Sequence, residues 1–80
     1  MGHPLTAIRL VRTPPDSGPR YYEIALTRDL WGAPVLTRRW GGVGARRGGD
    51  REERFGSLSE ARRAASDWLR AKRRRGYRRA

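Results

Sequence analysis

The 80-residue chain has no cysteine, which excludes disulfide staples and thiolate metal sites. Histidine occurs once, as His3, with no second ligand at metal-binding spacing, so neither a metal nor any other cofactor is expected. No apolar run approaches the ~20 residues of a membrane span, and no apolar h-region follows Met1. These absences, with a cysteine content that suits a reducing compartment, set the expectation of a soluble cytoplasmic protein that engages no membrane. No serine stands near a plausible general base, so no enzymatic activity is expected. Gly42-Val43-Gly44 begins like a dinucleotide fingerprint, but Arg47 occupies the place of the third glycine and no helix follows.

Acidic side chains are also scarce. The chain has 8 Asp and Glu against 19 Lys and Arg, a net charge of +11, and every basic residue except Lys72 is arginine. GC-rich coding, a weak pointer to a bacterial source, would favour arginine over lysine but would not raise basic residues over acidic ones. The excess points to a polyanionic partner, with nucleic acid ahead of a membrane surface. The planar guanidinium fork also suits phosphate better than an ammonium point charge does. A chain of this length makes one small domain with a single modest core and only ~60% of its unfolded surface buried.

The organisation expected along the chain is a flexible start over residues 1–4, a domain core over 5–77 and a basic tail over 78–80. Leu5 to Val11 alternates as a first strand, and the proline pair at Pro14-Pro15 opens a loop. Tyr21 to Thr27 is a second strand with Tyr22, Ile24 and Leu26 on its core face. The short link through Gly32 and Pro34 makes the next strand antiparallel to it; Trp31 there either caps the core edge, the favoured reading, or is exposed for contact. Asp50 to Phe55 is a charged edge strand anchored by Phe55. Ser57-Leu58-Ser59-Glu60 is a capping box opening a helix. Ala61, Ala64, Ala65, Trp68 and Leu69 form its buried stripe, and Gly76 is its stop. Residues 70–80 hold seven basic side chains and no acid, enough for an electrostatic arm as well as for meeting the helix dipole. The fold expected is α+β, a small antiparallel sheet of about four strands packed with one C-terminal helix.

The central stretch is Val35-Leu36-Thr37-Arg38-Arg39-Trp40-Gly41-Gly42-Val43-Gly44, an alternating strand that ends in a large aromatic and a bare, glycine-rich segment. Arg39-Trp40-Gly41-Gly42-Val43-Gly44 resembles the signature of the WGR domain. The upstream Tyr21-Tyr22-Glu23-Ile24, the charged strand ending at Phe55 and the late Arg74-Arg75-Gly76-Tyr77 fall in that family's order. The third motif position, arginine in the family, is Gly42 here. The resemblance implies a DNA-engaging module like that of poly(ADP-ribose) polymerases, with Trp40 stacking on a sugar near a DNA terminus. Arg38, Arg39, Arg46 and Arg47 are candidate phosphate contacts, with Gly41 and Gly42 in the motif loop and Arg73, Arg74 and Arg75 at the helix end. DNA is the first expected partner and RNA an alternative, with a role in DNA repair implied by the resemblance. A third reading is a protein-interaction module using Tyr21, Trp31 and Trp40 as an aromatic patch.

Overall fold

The computed structural model describes residues 5–80; the flexible start assigned to residues 1–4, including His3, lies outside them. β1 (Thr6–Arg12), β2 (Arg20–Arg28), β3 (Pro34–Gly42) and β4 (Gly48–Arg54) follow one another as a meander, α1 (Leu58–Arg74) comes next, and β5 (Arg78–Arg79) ends the chain. The sheet order is β4-β3-β2-β1-β5 and every neighbouring pair is antiparallel. The expected α+β architecture is therefore present, with one addition. Residues 78–80 are not a free tail: Arg78 and Arg79 pair with Val11 and Leu10, and the Ala80 N–H donates to the Arg9 carbonyl at 3.1 Å. The unpaired edge of β1 supplies the hydrogen-bonding groups that hold this segment.

The alternation of each strand sorts the side chains onto two faces. Leu10, Tyr22, Ile24, Leu26 and Leu36 point to one side and are buried with Ala61 of α1 and Tyr77. Ala64, Ala65, Trp68 and Leu69 complete the helix stripe against them, and Phe55 packs at the margin as expected. Among the described residues, no helix lies across the other face. One row there runs Arg9, Glu23, Arg39, Asp50 across four strands, so that charges of opposite sign face each other at every step. Arg9 and Glu23 make the ion pair directly, at 3.4 Å. This row neutralises its own charge.

The helix boundaries follow from local chemistry. Ser57 is the N-cap, its Oγ accepting from the Glu60 N–H at 3.2 Å. At the other end Gly76 adopts φ 96°, a left-handed conformation that glycine takes without a Cβ clash. The Gly76 N–H then donates to the Arg73 carbonyl at 3.0 Å and the Tyr77 N–H to the Lys72 carbonyl at 3.1 Å. That pair of bonds is a Schellman stop, and it folds Tyr77 back into the core beside Lys72.

The β2–β3 hairpin departs from expectation. Trp31 does not cap the core edge: it is 83% exposed, and its neighbour Leu30 is 87% exposed. The cause is Asp29. One carboxylate oxygen accepts from the Trp31 and Ala33 N–H groups, both at 2.9 Å, and the other accepts from Arg54 Nε at 3.2 Å. The Asp29 N–H donates to the Ala33 carbonyl at 2.9 Å, closing the turn. The turn's shape is set by these bonds, and Leu30 and Trp31 lie beyond the last paired residues, Arg28 and Pro34, where no core surface is in reach.

Candidate nucleic-acid interface

At the end of the sheet where β1 stops, β2 starts, β3 stops and β4 starts, the C-terminus of α1 comes down over the helix-side face. The cleft enclosed there has a volume of 380 Å³. Its walls carry Arg12, Arg20, Arg47, Lys72 and Arg75 with the aromatic rings of Trp40 and Tyr77, and the bare backbone of Gly41, Gly42 and Gly48. No carboxylate lines it. Arg12 and Arg20 face each other directly across the β1–β2 ladder, and Arg20 in turn faces Gly42. Like charges opposed in this way repel, in contrast to the alternating row on the open face. An anion seated between them would relieve that repulsion.

Trp40 is half-buried and does two things at once: it packs against the core cluster and forms part of the cleft wall. Its position depends on the partner strand. Trp40 pairs with Gly49, and any Cβ at Gly49 would overlap the indole ring. Gly48 and Gly49 are the first two residues of β4, which begins two residues earlier than the expected Asp50. The missing side chain of Gly49 leaves room for the indole against the neighbouring strand, and that of Gly48 lets the chain pass close to the Trp40 carbonyl.

The structure divides the sequence-predicted contacts among several surfaces. Trp40, Gly41, Gly42, Arg47 and Arg75 come together in the cleft. Arg38 points to the same face but lies behind the cleft wall, its guanidinium carbon 3.8 Å from the centre of the Trp68 ring and 5.8 Å from that of Trp40. Such stacking holds both indoles and occupies the cation. Arg39 and Arg46 are on the opposite face, around a shallow groove with Tyr21 and Asp50. Arg73 and Arg74 are exposed in the last turn of α1 and do not line the cleft. The three aromatics of the interaction-patch reading are also apart, with Tyr21 on the open face, Trp31 at the hairpin tip and Trp40 in the cleft.

Sequence reasoning missed Arg12, Arg20, Lys72 and Tyr77 as members of the site. A signal existed for the first two, because Arg12 shares the alternation of Leu10, and Arg20 that of Tyr22. For Lys72 the signal was helical spacing, since it follows Trp68 and Leu69 by four and three residues on the same stripe.

The electrostatics of the cleft are those of a site awaiting negative charge. Burial lowers the pKa of Lys72, and the nearby positive charges of Arg75 and Arg38 lower it further. Burial likewise raises the pKa of the Tyr22 hydroxyl, an effect that the neighbouring Arg38 opposes without overcoming. That hydroxyl is buried with no hydrogen-bond partner among the described residues.

The family model of the WGR domain matches residues 8–80. The chain belongs to the WGR domain family. WGR domains are nucleic-acid-binding modules, which accords with a cationic cleft built around the motif tryptophan. A relative from Sinorhizobium fredii (strain NBRC 101917 / NGR234), described as uncharacterized protein y4dW, is 41% identical over 59 residues. The match covers 74% of this chain and 28% of that relative, so the chain spans under a third of the longer protein. No solved structure matches the chain significantly. Among the described residues, no helix is long and apolar enough to cross a membrane, and no group of three or more His, Cys, Asp or Glu is placed to hold a metal ion.

Proposed function

We propose that this WGR domain is a non-catalytic DNA-binding module that holds exposed termini, ends or nicks, without reading base sequence. The observation that carries the proposal is the convergence of Arg12, Arg20, Arg47, Lys72 and Arg75 on a cleft that Trp40 lines and no acid enters. Guanidinium and ammonium groups take phosphate oxygens, contacts that position a duplex and carry no sequence information. The half-buried indole offers a flat surface to a sugar or base, and stacking of this kind contributes ~1–3 kcal/mol. A terminus suits a cleft of this size because an end presents its last sugar and phosphate without the continuing strand in the way.

Fluorescence anisotropy of a labelled blunt duplex across a salt series tests the reading, with unlabelled circular duplex as competitor. Neutralising about five phosphates gives a log–log salt slope near −4.5. Arg12→Gln with Arg20→Gln should flatten the slope by roughly two contacts' worth, about 1.8. Trp40→Phe, which keeps an aromatic in the core-packing position, should weaken binding to the end with little change in slope. Resistance to the circle supports terminus binding, whereas full competition by it leaves only a basic surface. A single-stranded RNA of matched length that outcompetes the duplex moves the assignment from DNA to RNA.

A further inference from the structure

Lys72 stands out in this cleft because it is the chain's sole lysine, all its other basic side chains being arginine. Its ammonium lies between two tyrosine rings, 4.9 Å from the centre of Tyr22 and 5.6 Å from that of Tyr77. The Schellman stop fixes this arrangement, since the same turn that donates Tyr77 N–H to the Lys72 carbonyl brings the Tyr77 ring back beside the lysine. The charged groups around it are all cations: Arg38 from β3, Arg12 from β1, Arg20 from β2, Arg47 from the β3–β4 turn and Arg75 at the end of α1. No carboxylate pairs with it in the cleft or among the salt bridges of the described residues.

An amine in such surroundings differs chemically from an arginine. A guanidinium stays protonated and is not a nucleophile at any physiological pH, whereas a lysine amine can lose its proton; burial and the neighbouring cations push Lys72 that way, against the two ring faces, which favour the cation. The direction of the Lys72 shift agrees with this geometry. A phosphate contact alone would be served at least as well by arginine, which the chain uses everywhere else. The reactive partner of a neutral amine is a carbonyl, and the cations around Lys72 select a carbonyl flanked by phosphates.

We propose that Lys72 is a covalent capture site for the aldehyde of a base-less sugar in nucleic acid, a function that rests on the cleft's taking a nucleic acid but goes beyond reversible binding. In the open-chain form of such a sugar the C1′ carbon is an aldehyde with a phosphate on each side. With phosphates alongside, the ammonium is the main form, so Nζ first gives up a proton to solvent; its lone pair then adds to C1′, forming the C–N bond while the carbonyl oxygen takes up a proton. The resulting carbinolamine loses that oxygen as water and leaves the imine. No oxidant, reductant or further group is needed, and the step is reversible.

The test is borohydride trapping of a duplex carrying one base-less site, with the adduct mapped by mass spectrometry and a sealed, intact duplex followed in parallel by anisotropy. The chain offers two kinds of aliphatic amine, Lys72 and the α-amino group, so the map is unambiguous. The expected result is an adduct on Lys72 that falls at least about tenfold in Lys72→Arg, compared at equal fractional saturation, because the guanidinium forms no such adduct. Ribose 5-phosphate, the small-molecule source of the same chemistry, should trap far less, and equal trapping of it would overturn the assignment to nucleic acid. An adduct confined to the α-amino group, or undiminished in Lys72→Arg, overturns the role of Lys72 while leaving the binding function in place. Failure to bind either duplex overturns both together.

Discussion

The two ends of this sheet solve opposite problems. At the hairpin end, Asp29 is almost fully enclosed by donors: the N–H groups of Ala33 and Trp31 and the Arg54 side chain. At the cleft end, Arg12, Arg20, Arg47, Lys72 and Arg75 converge with no acceptor charge among them. The first has its charge met within the protein, and the second carries positive charge with no partner among the cleft's lining residues. Both are held by the same β2 and β3 strands, so the difference lies in side chains and not in the scaffold. A fold can thus leave one end unsatisfied while the other end and the shared core carry its stability.

The sharpest way to break this contrast is at Gly49. A Cβ there would overlap the Trp40 indole, with the ring's Nε1 only 2.7 Å away, so Gly49→Ala must displace the ring or the strand. Overpacking of this kind costs about 1–3 kcal/mol, a large share of the stability of a domain this small. The urea midpoint should fall accordingly, and duplex affinity should fall beyond what the loss of folded protein explains, because the cleft wall moves. Gly56→Ala, before the helix at the opposite end, meets no atom nearer than 4.0 Å and should shift stability little. Equal losses in the two variants would show that Gly49 is no more than a turn residue.

A second prediction uses the opposite signs of two pKa shifts. The backbone N–H of Ala33 leads the groups that hold Asp29 below the usual carboxylate range, followed by the N–H of Trp31 and the charge of Arg54. A carboxyl lowered on folding stabilises the protein above its unfolded pKa, about 3.9, and that contribution is lost as pH falls through the folded value. Wild type and Asp29→Ala should therefore differ in urea midpoint at neutral pH and converge in acid. Lys72 runs the other way: its folded pKa lies below the unfolded value of about 10.4, so stability rises as pH climbs through the folded pKa. Lys72→Gln should remove that alkaline gain. A polyanion in the cleft should cancel it as well, because nearby phosphate favours the charged amine.

Much of this was legible in the chain because it rests on local periodicity. The alternation of Tyr22, Ile24 and Leu26 and the spacing of Ala61, Ala64, Trp68 and Leu69 placed the core face and the helix stripe, and Ser57 and Gly76 marked the helix ends. Of the cleft, the motif residues Trp40, Gly41 and Gly42 and the basic Arg47 and Arg75 were legible. Arg12 and Arg20 lie at strand ends and Lys72 on the helix, and what unites them is the way α1 crosses the sheet, which no local pattern encodes. The early start of β4 has a related reason: glycine signals a turn locally, but here the missing side chain of Gly49 is complementary to the tryptophan on the adjacent strand. Trp31 failed because size and hydrophobicity argue for burial, whereas the hydrogen bonds of Asp29 decide where the loop points.

The smallest expected effect is therefore at Trp31, the residue whose type would suggest the largest. A tryptophan that is 83% exposed has little burial to lose, and surface substitutions of this kind stay within about ±0.5 kcal/mol. The turn is held through the Trp31 backbone N–H, which serine retains, so Trp31→Ser should leave the hairpin intact. Its distance from the cleft along β3 predicts unchanged duplex affinity and an unchanged salt slope. Removing the indole should raise the solubility limit, since Leu30 and Trp31 together form the most exposed apolar feature of the described surface. A clear drop in duplex affinity would overturn the division between the ends, making the hairpin tip a second stacking surface for the same strand.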